Sequence, residues 1–228
     1  MNQPKPDAAL FLASSVHDMK NSISVLQDSI RRSLVQVAHD QSESYREMSQ
    51  MLYETQRIHG NLIQLLTLYK FGNDLYPFHP ETQELAEFIH LAVSHLAPLL
   101  TSRSIALETE IEEDCYWDFD SDLINGIVVH AMNNAVHYTK DRLRLVAGMV
   151  DNALEIRIED NGRGFPQQML DDGVAAMRGV NFNTGSTGLG LYFAAIVAQM
   201  HGNRQENGSI RLENGSLLGG GCFILRLP

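Results

Sequence analysis

Two glycine turns and one carboxylate stand in an order suited to holding a nucleotide. Asp160-Asn161-Gly162-Arg163-Gly164 sets an acid at the head of a tight turn, and Gly188-Leu189-Gly190-Leu191 opens an apolar stretch further along. A carboxylate at 160 can accept the amino hydrogens of adenine, whereas the carbonyl oxygen of guanine would be repelled there. Gly162 and Gly164 let the backbone come close to a base. Asp-Asn-Gly is equally a common turn sequence, so this segment alone also fits a plain loop. Thr187-Gly188-Leu189-Gly190 precedes a helical pattern, where unpaired N–H groups and the helix dipole favour phosphate oxygens.

Two further groups extend this chemistry. In the helical pattern over 121–138, Ile124, Ile127, Val128, Ala131 and Ala135 mark the inward face. Asn134 falls beside that face, with His130 one turn before it and Tyr138 one turn after. An amide oxygen suits Mg²⁺, which keeps several waters and takes few protein ligands. A structural bond to a neighbouring loop accounts for a lone amide equally well. Near the N-terminus, His17-Asp18 lies in an amphipathic helical pattern with Asn21 one turn on along the same face. A neutral imidazole is a capable nucleophile near pH 7, and Asp18 can hold the ring or take its proton. A histidine at the edge of a helical bundle is the plain alternative.

The elements that must position these groups fall into two regions. Leu12, Val16, Met19, Ile23, Leu26, Ile30, Leu34 and Val37 step by three and four, as do Met48, Met51, Thr55, Ile58, Leu62, Leu65 and Tyr69. This predicts a helical hairpin with one apolar seam on each helix, joined through His39-Asp40-Gln41-Ser42-Glu43. Ser44 with Glu47 predicts a capping box for the second helix. Seams of this length are buried economically when two hairpins pair into a four-helix bundle. Glycine and two prolines over 71–80 end the pattern and predict a boundary. Beyond it the chain predicts helices over 83–102, 121–138 and 190–201. Strands are expected over 105–111, 142–147, 154–159, 210–212 and 223–227. Together these make a sheet with helices on one face.

Composition narrows the function classes. The net charge is −11, and the acidic excess falls wholly after Lys70, which argues against a nucleic-acid partner. No apolar run reaches the roughly 18–20 residues that span a bilayer, so no membrane segment is expected. The first residues lack the apolar core of a signal peptide, and Cys115 and Cys222 have no metal-ligand spacing. A cytoplasmic location is the expectation.

His17-Asp18-Met19-Lys20-Asn21, the run from His130 to Thr139, Asp160 to Gly164 and Gly188 to Leu191 resemble the H, N, G1 and G2 boxes of sensor histidine kinases. They stand in the family's order and span nearly the whole chain. The resemblance implies an α+β protein. Residues 1–76 would be a dimerisation and phosphoacceptor hairpin in a dimeric four-helix bundle, and 77–228 an α/β sandwich ATP-binding domain of the Bergerat type. It implies a two-component protein-histidine kinase using ATP and Mg²⁺. By it His17 accepts the γ-phosphoryl group, Asp18 assists as base, Asn134 carries Mg²⁺ and Asp160 reads adenine. His130, His137, Tyr138, Gly162, Gly164, Thr187, Gly188, Leu189 and Gly190 complete the nucleotide site. The implied partners are a second copy of the chain and a response-regulator receiver domain, whose dephosphorylation Asn21 would assist. The sequence departs from the family at Ser22, where proline is usual, at His130, where asparagine is common, and at His137, where lysine is frequent. Phe182 is the sole candidate for an aromatic F box. Two alternatives compete: a non-enzymatic histidine phosphotransfer module with a degenerate ATP domain, and another Bergerat ATPase such as an anti-sigma serine kinase.

Overall fold

The computed structural model describes residues 8–36, 43–171 and 188–228, the side chains of 8–13 excepted. Thr187 and Phe182 lie outside the described residues. The chain divides into two compact units, Met1–Pro77 and Phe78–Pro228.

In the first unit two helices, α1 (Ala8–Gln36) and α2 (Glu43–Gly72), pack on one another. Glu43 already belongs to α2, so Ser44 sits inside the first turn and not at the cap expected of it. The surface between the helices is of mixed character. Val16, Leu34, Leu52 and Tyr53 are buried, and so are Gln27, Ser49, Thr55, Gln64 and Thr67. The apolar seams divide: Val16, Leu34 and Thr55 turn inward, while Met19, Leu26, Met51, Ile58 and Leu65 remain 38–54% exposed. A helix in a hairpin has one neighbour, and only part of each seam is aimed at it.

The second unit is built on a five-stranded mixed sheet. Its strands are β2 (Ala106–Ile111), β4 (Arg142–Val150), β5 (Ala153–Asp160), β6 (Ser209–Asn214) and β7 (Gly221–Leu227), in the order β2-β4-β5-β7-β6. β2 runs parallel to β4 and the remaining pairs are antiparallel. Period-two alternation divides the two faces. Leu143, Leu145, Leu154, Ile156, Ile158, Phe223 and Leu225 point into the core. The opposite face carries interleaved charges: Arg144 bridges Glu110 and Glu159, and Arg157 bridges Glu155, Glu159 and Glu213. Helix α5 (Ser121–Tyr138) packs on β5, α7 (Leu189–Met200) packs on β6, β7 and α5, and α3 (Leu85–Ser94) packs on α5.

Four of the strands run up to three residues past the expected cores, and β2 begins one residue later than expected. Asp151 and Asn152 supply the left-handed pair (φ 48° and 59°) that a tight β4–β5 hairpin needs. The single helix expected over 83–102 is instead a short strand, β1 (Glu81–Glu84), followed by α3 and α4 (Ala97–Arg103). Pro98 is the cause: it lacks an N–H, and its ring would crowd the Ser94 carbonyl in a continuous helix. β1 pairs with β3 (Tyr116–Phe119), a second strand that the periodicity did not reveal. No single helix among the described residues is long and apolar enough to cross a membrane.

The start of α5 is fixed by a buried knot. Asp120 caps the helix through Oδ1, which accepts from Leu123 N at 3.1 Å, and its Oδ2 accepts from His79 N at 3.2 Å. The Asp120 N–H donates to His201 Nε2 at 3.0 Å, while His201 Nδ1 donates to the Val197 carbonyl at 2.7 Å. Both ring nitrogens are thus committed to the neutral form. Burial lowers the His201 pKa from its ordinary 6.5, outweighing the Val197 bond and the Asp120 charge, which both raise it. A His held neutral in the native state binds its proton more readily when unfolded. Its contribution is therefore complete above about pH 6.5 and is lost as the pH falls below that value. We expect the urea midpoint of the full chain, followed by the single tryptophan Trp117, to fall between pH 7.5 and 5.5. His201→Gln should lower the midpoint at pH 7.5 and flatten this slope. An unchanged slope in the variant would exclude His201 as its source.

Candidate functional site

Helix α5 carries one side of the site and the ends of β5 and α7 carry the other. Tyr138 ends α5, and Asp160 ends β5. Their meeting is tight: a methyl group at Gly162 would overlap the Tyr138 carbonyl, so only glycine lets the turn after β5 lie on the end of α5.

One amide welds this junction. Asn161 Oδ1 accepts from Thr139 Oγ1 at 2.8 Å and from the backbone N–H groups of Lys140, Asp141 and Arg142 at 3.1, 3.2 and 3.1 Å. Its Nδ2 donates to Asp141 Oδ1 at 2.7 Å. The sequence offered Asn161 only as part of a turn. Its neighbours come from the chain about twenty residues upstream, which no local pattern announces.

Asp160 is 7% exposed. Its Oδ1 accepts from Gly162 N at 2.7 Å and Gly221 N at 3.4 Å, and its own carbonyl accepts from Gly220 N at 3.1 Å. The carboxylate is held by backbone on two sides, with Oδ2 beside Gly221 and the Phe165 ring. Gly220 and Gly221 were missed as site residues. The run Gly219-Gly220-Gly221 before a strand was the available signal, since consecutive glycines mark close backbone approach. Asn214, at the end of β6, holds the loop that follows: its Oδ1 accepts from Phe165 N at 2.7 Å and its Nδ2 donates to the Phe165 carbonyl at 2.8 Å. Above the turn the Arg163 guanidinium lies 5.3 Å from the centre of the Tyr138 ring. His137 is exposed and stands edge-on to the same ring at 4.8 Å.

The second cluster lies one turn back along α5. Asn134 Nδ2 stands 2.9 Å from His130 Nε2. Burial pushes the His130 pKa down to about 4, so the ring is neutral at ordinary pH, and in the tautomer with its hydrogen on Nδ1 the Nε2 accepts the amide hydrogen. Gly190, in the first turn of α7, abuts this ring. Gly188 occupies the N-cap of α7 in the left-handed region (φ 59°), with no side-chain cap on the free N–H groups behind it. Leu189 opens the helix.

These residues fit an adenine nucleotide and a divalent cation. Among the described residues, one Asp160 carboxylate oxygen has no protein donor, the Asn134 oxygen has no hydrogen-bond partner, and a twelve-residue helix without a side-chain cap begins alongside. His130, Asn134 and Gly190 are brought together, as are Tyr138, Asp160 and Gly162. Gly164 is held at Asn214.

His17, Asp18 and Asn21 belong to the other unit. His17 Nδ1 lies 3.6 Å from Asp18 Oδ1 and 3.4 Å from Asn21 Nδ2, and the His17 and Asp18 side chains are 59% and 78% exposed. Both neighbours address Nδ1, leaving Nε2 outward. The two contacts call for different tautomers: a hydrogen on Nδ1 faces Asp18 and leaves the Nε2 lone pair free, whereas a lone pair on Nδ1 accepts from Asn21 Nδ2.

Residues 119–228 match the family described as histidine kinase-, DNA gyrase B- and HSP90-like ATPases. A probable sensor histidine kinase of Mycobacterium tuberculosis is 28% identical over 157 residues, covering 66% of this chain and 40% of that protein. The sensor histidine kinase WalK of Bacillus subtilis is 21% identical over 200 residues, covering 84% and 33%. The chain thus spans well under half the length of these relatives. Among solved structures, the catalytic domain of histidine kinase ThkA superposes with a TM-score of 0.56 at 19% identity, over 65% of this chain and 97% of that one. Full-length ShkA in complex with AMPPNP superposes with a TM-score of 0.62 at 15% identity, over 95% and 45%.

Proposed function

We propose, starting from a chain that carries the ATP-binding core of the sensor histidine kinases, that it is an ATP-dependent protein-histidine kinase which phosphorylates itself on His17. The observation that carries this reading is the Asp160 carboxylate. It is buried, fixed by backbone donors through one oxygen and left with the other for an adenine amino group. Asn134 and the start of α7 would hold the metal and phosphate ends of Mg·ATP, whose contribution is a transferable γ-phosphoryl group with its charge neutralised. His17 Nε2 is the nucleophile. Asp18 would favour the tautomer in which that nitrogen carries a lone pair, and it would accept the Nδ1 proton as the N–P bond forms and ADP leaves. Asn21, whose amide stands at the same Nδ1 as Asp18, would serve dephosphorylation of a partner aspartate. The phosphoryl group would pass to a response-regulator receiver domain.

The test is incubation of the full chain with Mg²⁺ and γ-labelled ATP. Label that is labile to acid and stable to base supports the reading. Nucleotide binding without any label would favour the non-enzymatic phosphotransfer module. Acid-stable label would favour a serine kinase of the same ATPase fold.

The state of assembly belongs to the same proposal. The first unit buries glutamine, serine and threonine between its helices and leaves Met19, Leu26, Met51, Ile58 and Leu65 outward in steps of seven. A second copy would cover this stripe and complete a four-helix bundle. Leu26→Glu or Ile58→Glu would place like charges, paired by symmetry, in that interface. Sedimentation equilibrium of the full chain should give the mass of two chains for the wild type. Association should weaken by about 100-fold or more in either variant, since a buried unpaired charge costs several kcal/mol. A monomeric wild type would remove the bundle.

A further inference from the structure

We propose that His130 is a positioning residue that sets both ends of the metal–phosphate half of the site: it orients the Asn134 amide and seats the first turn of α7. The proposal rests on the nucleotide-binding reading above and deepens it.

An asparagine amide has two nearly isosteric faces, and a half-turn about its last bond exchanges an oxygen for an NH₂ group. Toward a cation the two faces have opposite sign. A free Asn134 would therefore present the wrong group in part of its population. The 2.9 Å contact from Nδ2 to the His130 Nε2 lone pair decides the matter by holding the NH₂ against the ring. The oxygen is left without a protein partner among the described residues. The resembling boxes commonly carry asparagine at this position. Asparagine offers both a donor and an acceptor, so it cannot by itself enforce one orientation of a neighbouring amide. A rigid ring with its hydrogen on Nδ1 offers only an acceptor at Nε2, and so it can.

The second half of the role comes from packing. A methyl group added at Gly190 would overlap the His130 imidazole at Nε2, Cε1 and Cδ2 alike. Gly190 is a glycine because this ring fills the space a side chain would need. The first turn of α7 therefore rests on His130. The N–H groups that follow Gly188 and the Asn134 oxygen are thus referenced to one side chain, and losing it would release both. Hydrogen-bonded partners behind a metal ligand act in this way, by fixing the ligand's orientation.

The test has two arms, both on the full chain. In the first, binding of the β,γ-imido analogue of ATP is measured by calorimetry with Mg²⁺ and again with EDTA. His130→Ala should weaken binding about 10- to 100-fold with Mg²⁺ while changing it only about threefold or less in EDTA, where Asp160 dominates. His130→Gln, which restores an acceptor, should recover part of the loss. In the second arm, thermal unfolding is followed for Gly190→Ala, His130→Ala and the double variant. Gly190→Ala should be strongly destabilising beside His130 and nearly neutral in the His130→Ala background. Equal weakening with and without Mg²⁺, or His130→Ala binding like the wild type, overturns the amide role. Equal destabilisation by Gly190→Ala in both backgrounds overturns the packing role. A wild-type chain that binds no adenine nucleotide overturns the underlying reading and the metal half of this one, and the unfolding cycle still decides the contact with α7.

Discussion

His17→Gln is expected to carry no acid-labile phosphate after incubation with Mg²⁺ and γ-labelled ATP, while binding nucleotide as tightly as the wild type. Glutamine keeps the polarity and approximate length of histidine but has no nitrogen lone pair able to attack phosphorus, because its amide nitrogen is conjugated with the carbonyl. The loss should be complete. The side chain is exposed and its polar side-chain partners among the described residues are Asp18 and Asn21, so the fold has little at stake. Asp18→Ala should slow incorporation by about 100-fold without abolishing it, within the range that positioned acid–base groups contribute. Label on His17→Gln equal to that on the wild type would move the acceptor to another residue and leave the nucleotide site untouched.

Asp160→Asn should weaken adenine-nucleotide binding by about 100-fold. Hydrogen bonds to a charged group contribute about 1.5–3 kcal/mol, and the substitution also turns a pure acceptor into a group that must place NH₂ somewhere. Turned inward, that NH₂ meets the N–H groups of Gly162 and Gly221. Turned outward, it meets the amino group of the base. Neither orientation is free of a donor–donor contact. Calorimetry with ADP and Mg²⁺ measures the effect, and thermal unfolding separates it from loss of the fold. An Asp160→Asn protein with wild-type affinity would place the base elsewhere and withdraw the main support for the proposed function.

The fold was legible where a segment carries its own period. Alternation in β4, β5 and β7 and the helical spacing of α5 are set by burial on one side, and burial leaves its mark in sequence. β1 and β3 are four residues each, too short for a period, and they exist because each supplies the other's hydrogen bonds. The split between α3 and α4 is written in Pro98, but the apolar spacing continues across it and masks the break. In the hairpin the heptads were legible, but their direction was not: a stripe does not say whether its partner is the neighbouring helix or another molecule. The site divides in the same way. Asp160, Asn134 and the glycines stand out by residue type and order. Asn161, Asn214 and His201 act through partners 19–22, 49 and 81 residues away. Their residue types are ordinary for loops and helix ends, so only the folded chain shows what they join.

Asn161 is followed by Gly162, and Asn-Gly is the dipeptide in which a flexible chain ages fastest: the glycine nitrogen attacks the side-chain carbonyl, ammonia leaves, and the ring reopens to aspartate or isoaspartate. Here both reactants are engaged. The Gly162 nitrogen donates to Asp160, and the Asn161 amide is bonded at both its oxygen and its nitrogen. Folding therefore shields the bond chemically as well as placing it. Once deamidation has occurred in an unfolded copy, an aspartate at 161 would face the Asp141 carboxylate where an N–H once donated, and isoaspartate would add a backbone atom between Asp160 and Gly162. The junction of β5 with α5 would then be lost to that molecule for good, so the working lifetime of the site is tied to how seldom this unit opens.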